Sequence, residues 1–173
     1  MSLLPNQRVL TILLLLLIPS NALAQRAVFV VRHAEKASDA NDPPVPLSAA
    51  GSERARRLAS LLRDAGVSVI YSTDTVRTRE TAEPLAKLLR LETRLYSATG
   101  SDGKVDAAPL ARRLASENSA DVVLVVGHSN TIAPLLSALC AKETVEIGGG
   151  DYDNLFLLIP RSSGSPLLLR MHF

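Results

Sequence analysis

"DVVLVVGHSNT", residues 121–131, places five apolar residues in a row between Asp121 and Gly127. A strand with one wet face alternates apolar and polar residues, so an unbroken run predicts a strand covered on both sides. The run ends in Gly127-His128, and "NTIAPLLSALCAK" (130–142) then takes up helical spacing. "RAVFVVR" (26–32) repeats this design near the other end of the chain, with His33 directly after Arg32. "VSVIYS" (67–72) is a third run of the same kind. The stretches between them read as helices. "LSAAGSERARRLASLLRDAG" opens with Ser48 as an N-cap, carries Ala55, Leu58, Leu61 and Leu62 at helical spacing, and stops at Gly66.

"TDTVRTRETAEPLAKLLR" (73–90) predicts a second helix, kinked at Pro84, with Ser72 and Thr73 at its start. "LETRLYS" (91–97) predicts a further strand, and "DAAPLARRLASE" (106–117) a helix capped by Asp106. "NLFLLIP" and "PLLLRMHF", separated by "RSSGS", predict a terminal hairpin. Turn-forming residues gather in loops 38–46, 98–105 and 146–153. Strand and helix in alternation predict a three-layer α/β/α sandwich with a mostly parallel central sheet, one domain over residues 25–173. Residues 1–24 read separately. Arg8, an apolar run from Val9 to Ile18 and the pattern Ala22-Leu23-Ala24 have the layout of a secretory signal peptide cleaved after Ala24. That run is short for a bilayer span, which disfavours an uncleaved anchor. The expectation is a periplasmic or secreted protein without stable membrane association after cleavage.

Charge excludes one class of partner. The chain has 19 Lys and Arg against 17 Asp and Glu, a net charge of +2, and the signal segment removes only Arg8. Such a balance gives no support to nucleic-acid binding. Cys140 is the sole cysteine. It sits in an apolar helical pattern, where a packed, inert thiol is expected, and no internal disulfide can form.

In parallel sheets covered by helices, ligands bind beyond the carboxyl ends of the strands. Three predicted strands end in reactive residues at that edge: Arg32-His33 after the first, Ser72 and Thr73 with Arg77 one turn on after the second, and His128 after the run at 122–126. A single histidine after a strand, or a single arginine on a helix, is ordinarily structural. Two arginines and two histidines at one rim make a cationic pocket suited to a phosphoryl group. Guanidinium forks match phosphate oxygens with a charge that does not titrate. A helix start adds N–H donors. One imidazole can attack phosphorus as the neutral base, and a second can donate as imidazolium. A metal is not expected, because arginines beside two histidines repel a cation and zinc needs a fuller ligand set.

These residues carry a resemblance. "VVRHAEK", "YSTDTVRTRETA" and "VVGHSNT" resemble, in order, the three signatures of the histidine phosphatase superfamily, the phosphoglycerate-mutase-like fold, from Ala27 to the C-terminus. The resemblance implies that His33 is a nucleophile transiently phosphorylated by a small-molecule phosphomonoester. Arg32 and Arg77 then clamp the phosphoryl oxygens, His128 completes the pocket, and no cofactor or metal takes part. Ser129 after the second histidine sets the chain apart from the larger acid phosphatases, and it resembles compact bacterial members. Many members carry a glutamate general acid after the third strand, and none stands in "LYSATGSDGKVD". Glu35, Asp102, Asp106 and Asp151 are the candidates for that role, with a helix cap and a turn as the plainer readings of Asp106 and Asp102. Two alternatives follow from the gap: a phospho-ligand binder without turnover, and a protein phosphohistidine phosphatase. Lys36, Ser72, Thr73, Ser129 and Asn130 read as capping or structural residues near the pocket. Gly148–Gly150 read either as an anion nest beside it or as a flexible connection. His172 reads as structural.

Overall fold

The computed structural model describes residues 27–38, 44–116, 121–140, 145–161 and 163–173. The expected signal segment, the middle of loop 38–46, and the predicted helix ends at Glu117 and at 141–142 lie outside the described residues. Within them the chain runs β1 (Ala27–Arg32), α1 (Ala49–Leu62), β2 (Val67–Thr73), α2 (Val76–Leu89), β3 (Thr93–Tyr96) and α3 (Ala108–Ser116). It continues through β4 (Val122–Gly127), α4 (Ser129–Cys140), β5 (Asn154–Ile159) and β6 (Leu167–His172). The six strands form one sheet in the order β3-β2-β4-β1-β5-β6. β1, β2, β3 and β4 run parallel, so their carboxyl ends share an edge, and the antiparallel hairpin β5–β6 extends the sheet beside β1.

The unbroken apolar strands are explained by two cores. Val28, Val30, Val123 and Val125 face α3 and α4, packing with Leu110, Leu114, Ile132 and Leu136. Their chain neighbours Phe29, Val31, Leu124 and Val126 point the other way, against Leu58, Leu62, Ala82 and Leu85 of α1 and α2. Each strand therefore withdraws both faces from water, and side-chain alternation sorts its residues between the layers. Cys140 is buried in the first core, in the position of a packed thiol.

The start of α2 differs from the expected one. Ser72 and Thr73 belong to β2, and the helix begins at Val76 behind Thr75, whose hydroxyl accepts from Thr78 N. The run "STDT" offers several capping residues, and the sheet decides among them because Ser72 and Thr73 pair with β3. The helix continues through Pro84 and ends at Arg90, which takes the left-handed conformation without a glycine.

α1 bears directly on β1. Ser48 caps it, accepting from Gly51 N, and Ser48 N donates to Glu35 O at 2.9 Å. A β-carbon on Gly51 would overlap the Glu35 carbonyl oxygen. The helix thus presses on the backbone two residues past His33, and only glycine admits that approach. Gly51→Ala is expected to destabilise the fold by about 1–3 kcal/mol, the ordinary cost of overpacking. It also displaces the His33 segment and lowers turnover. Denaturant unfolding and steady-state kinetics on the same preparation check both effects.

Candidate active site

The parallel strands bring the chemistry to one edge. β1 and β4 are adjacent, with Arg32 in register with Gly127, and His33 N donates to Gly127 O at 2.9 Å. His33 and His128 therefore leave neighbouring strands side by side, their ring centroids 5.3 Å apart and their planes 65° from parallel. Arg77, in the first turn of α2, reaches His128 Nδ1 at 3.4 Å. Arg32 is 7% exposed and His33 4%. The four residues, from three separate stretches of the chain, are gathered around one site.

Hydrogen bonding sets the state of each ring. A backbone carbonyl only accepts, so the 2.8 Å contact from His33 Nδ1 to Ala34 O makes Nδ1 the donor. The lone pair is then left on Nε2. For His128 the assignment comes from Arg77, which only donates. Nδ1 is therefore the acceptor, and Nε2 donates to Thr73 Oγ1 at 2.9 Å. Thr73 Oγ1 donates to Thr78 Oγ1 at 3.1 Å, and Thr78 Oγ1 donates to the Thr73 and Thr75 carbonyls. This hydroxyl chain ends on backbone oxygen and holds His128 as the neutral tautomer.

Burial lowers the His33 pKa to about 4; the Ala34 bond opposes the shift, while the charges of His128, Arg77 and Arg32 add to it. Burial, then Arg77 and Arg32, lower that of His128 to about 4 as well. With pKa values of about 4, both rings are neutral at neutral pH. His128 is thus no standing imidazolium, as the sequence suggested for a second histidine, but a lone-pair acceptor facing Arg77.

The arginines are placed differently. Arg32 Nη1 donates to both Gly148 O and Gly149 O at 2.9 Å, and its guanidinium carbon lies 4.1 Å above the Tyr152 ring. The glycine run therefore turns carbonyls, not N–H groups, toward Arg32, which corrects the reading of it as an anion nest. Tyr152 also lies 5.9 Å, centroid to centroid, from His33. The Nε–H groups of Arg32 and Arg77 are buried without a hydrogen-bond partner among the described residues.

Several supporting residues were invisible in the sequence or read as merely structural. Thr81 Oγ1 accepts from Ala34 N at 3.0 Å and donates to Arg77 O at 2.7 Å, so one hydroxyl ties the backbone after His33 to α2. Its position four residues after Arg77 in "RTRETA" was the available signal. Thr73 and Thr78 orient His128, and no pattern in the sequence pointed to Thr78. Tyr152 could not be anticipated, because the path of loop 146–153 places it.

The four candidate acids have other tasks. Arg54 grips Glu35 through Nε and Nη2 at 2.7–3.0 Å, and that bond holds the carboxyl below its ordinary range. Asp102 accepts from Lys104 N in a turn, Asp106 from Ala108 N at the start of α3, and Asp151 from Gly148 N in the glycine loop. The cleft beside His128, about 560 Å³, is lined by another carboxylate, Asp74, which the sequence reading did not weigh. Ser129 starts α4, Asn130 lines the cleft, and Lys36 bridges to Leu47 in the following loop. His172 pairs with Asp153 at 3.2 Å on the surface, away from the cleft.

A helix-covered parallel sheet with two arginines and two histidines at its carboxyl edge offers a cationic site suited in charge to a phosphoryl group. The model for branch 1 of the histidine phosphatase superfamily matches residues 28–98, a stretch that includes Arg32, His33 and Arg77. Solved structures agree in fold. The protein histidine phosphatase SixA complexed with tungstate superposes with a TM-score of 0.69 at 21% identity, over 84% of this chain and 96% of that one. Phosphoserine phosphatase from Entamoeba histolytica, in complex with 3-phosphoglyceric acid, gives 0.66 at 18% identity, over 86% and 97%. A mycobacterial glucosyl-3-phosphoglycerate phosphatase gives 0.65 at 17%, over 86% and 98%. No curated protein sequence matches the chain.

Proposed function

We propose that the protein hydrolyses phosphomonoesters without a metal, through a phosphohistidine on His33. The observation that carries this is the His33 ring: Nδ1 is committed to Ala34 O, so a neutral Nε2 lone pair stands in a buried site shared with two guanidinium groups. Nε2 attacks phosphorus as the ester P–O bond breaks, and the leaving oxygen takes a proton. Water then attacks the phosphohistidine, the N–P bond breaks, and inorganic phosphate leaves. The unpartnered Nε–H groups of Arg32 and Arg77 support an anionic ligand, since each buried donor left unmet costs about 1–3 kcal/mol.

The proton for the leaving group has no carboxylic acid of the expected set behind it. Tyr96 is also unsuited, its pKa pushed up to about 12 by burial. We assign the proton to the substrate. A phosphomonoester has a second pKa of about 6, and its monoanion carries a P–OH proton that the dianion lacks. Below about 4 the histidines charge and His33 loses its nucleophilic pair. The expected kcat/KM for an aryl phosphate is therefore a bell, rising through about pH 4 and falling above about pH 6. It should be unchanged in excess chelator. Loss of turnover on chelation, or a maximum above pH 7, contradicts the scheme.

With none of the four expected acids free for the role, a phosphoramidate is a second reading, because nitrogen leaves easily once protonated. SixA is named a protein histidine phosphatase. Against it stands the N-terminal segment, which we take to be an export signal that places residues 25–173 outside the cytoplasm.

A further inference from the structure

The cleft that would receive the leaving group has a distinctive charge. It opens beside Arg77 and His128, and its outer wall includes Asp74, Leu95, Ser97, Thr99 and Asn130. Among the described residues that line it, Arg77 is the one cation and Asp74 the one carboxylate. Arg77 lies against His128, where the phosphoryl group is handled. Arg32 does not line the cleft and is held by the Gly148 and Gly149 carbonyls and Tyr152. Arg32 and Arg77 both serve the phosphoryl group, and among the described residues no further cation lines the cleft to meet another anion.

Asp74 sharpens this. Its Oδ1 pairs with Arg79 at 3.2 Å, but both side chains are more than half exposed, and such a pair leaves a carboxylate well able to act on neighbours. Arg79 lines the adjoining groove with Glu80 and Glu83, groove and cleft sharing Leu95, whereas Asp74 lines the cleft itself. Ser97 and Thr99 are engaged with each other: Ser97 Oγ donates to Thr99 O and accepts from Thr99 N. The Asp74 carboxylate and the Asn130 amide are then the polar groups of the wall suited to meeting a ligand. Both accept from hydroxyl groups, and Leu95, 46% exposed, offers an apolar surface beside them.

We propose, resting on the phosphatase reading above, that this cleft selects monoesters of uncharged, hydroxyl-bearing alcohols and rejects esters whose alcohol carries a second anion. Asp74 is the specificity-determining residue.

Glycerol 3-phosphate and 3-phosphoglycerate test this, since they share a three-carbon skeleton and differ by a hydroxymethyl group against a carboxylate. The full-length protein is expected to favour glycerol 3-phosphate by about tenfold in kcat/KM, the scale of one partly screened charge contact. Asp74→Asn is expected to narrow that ratio severalfold, through improved use of 3-phosphoglycerate. The same two esters are titrated calorimetrically into His33→Ala protein and into His33→Ala/Asp74→Asn protein, where binding is read without turnover. Equal affinity for the two esters, or a ratio that Asp74→Asn leaves in place, overturns the proposal. If p-nitrophenyl phosphate is not hydrolysed but the binding ratio and its dependence on Asp74 hold, selection stands and the phosphatase reading falls.

Discussion

His33→Ala abolishes turnover, with kcat reduced on the order of 10⁴- to 10⁶-fold, the loss seen when a covalent nucleophile is removed. The protein also ceases to take up acid-labile radiolabel from a γ-type or aryl phosphate donor during rapid quench. His128→Ala behaves differently. It slows the reaction, because an acceptor beside the phosphoryl group is lost, but Nε2 of His33 remains free and label still accumulates. The contrast matters because the two rings are neighbours with similarly low pKa values, and only their hydrogen bonds distinguish them. His33 spends Nδ1 on Ala34 O and keeps Nε2 open, whereas His128 has both nitrogens engaged, by Thr73 and Arg77. His33→Ala protein should still bind inorganic phosphate, since both guanidinium groups persist. Acid-labile label on His33→Ala protein places the nucleophile elsewhere.

The layers and the rim were readable because they depend on patterns the chain repeats. Val122–Val126 and Ala27–Val31 are apolar without interruption because each run is covered by helices on both sides, and the residues after them must emerge at one edge. That logic delivered Arg32, His33, Arg77 and His128 to a common site before any coordinates. What escaped depends on loop paths and on competition between equivalent residues. "STDT" holds four capping residues in succession, and pairing with β3 decides that Thr75, not Ser72 or Thr73, caps the helix. Gly148–Gly150 are equally able to present N–H or carbonyl groups. The Asp151 carboxylate on Gly148 N turns the carbonyls toward Arg32. Glu35 shows the same competition: it is close in sequence to His33, but Arg54, nineteen residues away on α1, grips its carboxylate.

Arg77→Ala is expected to lower kcat/KM by about 10²- to 10³-fold, the usual cost of removing one charge-stabilising donor from a buried site. It should also move the acid limb. Arg77 lies 3.4 Å from His128 Nδ1, and its charge disfavours a proton on either histidine. Removing that charge makes the imidazolium forms easier to reach, so both pKa values rise from about 4. They stay below the ordinary 6.5, because burial is the larger cause and is unaffected. The rising limb of kcat/KM therefore shifts to higher pH, and the bell narrows from its acid side. Arg77→Lys separates charge from shape. It keeps a cation near His128 and so restores most of the limb position, but a single ammonium cannot reproduce the two-pronged grip on phosphoryl oxygens, and the rate stays low. Full pH–rate profiles for the three proteins decide the matter. An acid limb that does not move in Arg77→Ala would mean that this arginine does not govern the histidines, and a rate that Arg77→Lys restores completely would reduce its role to charge alone.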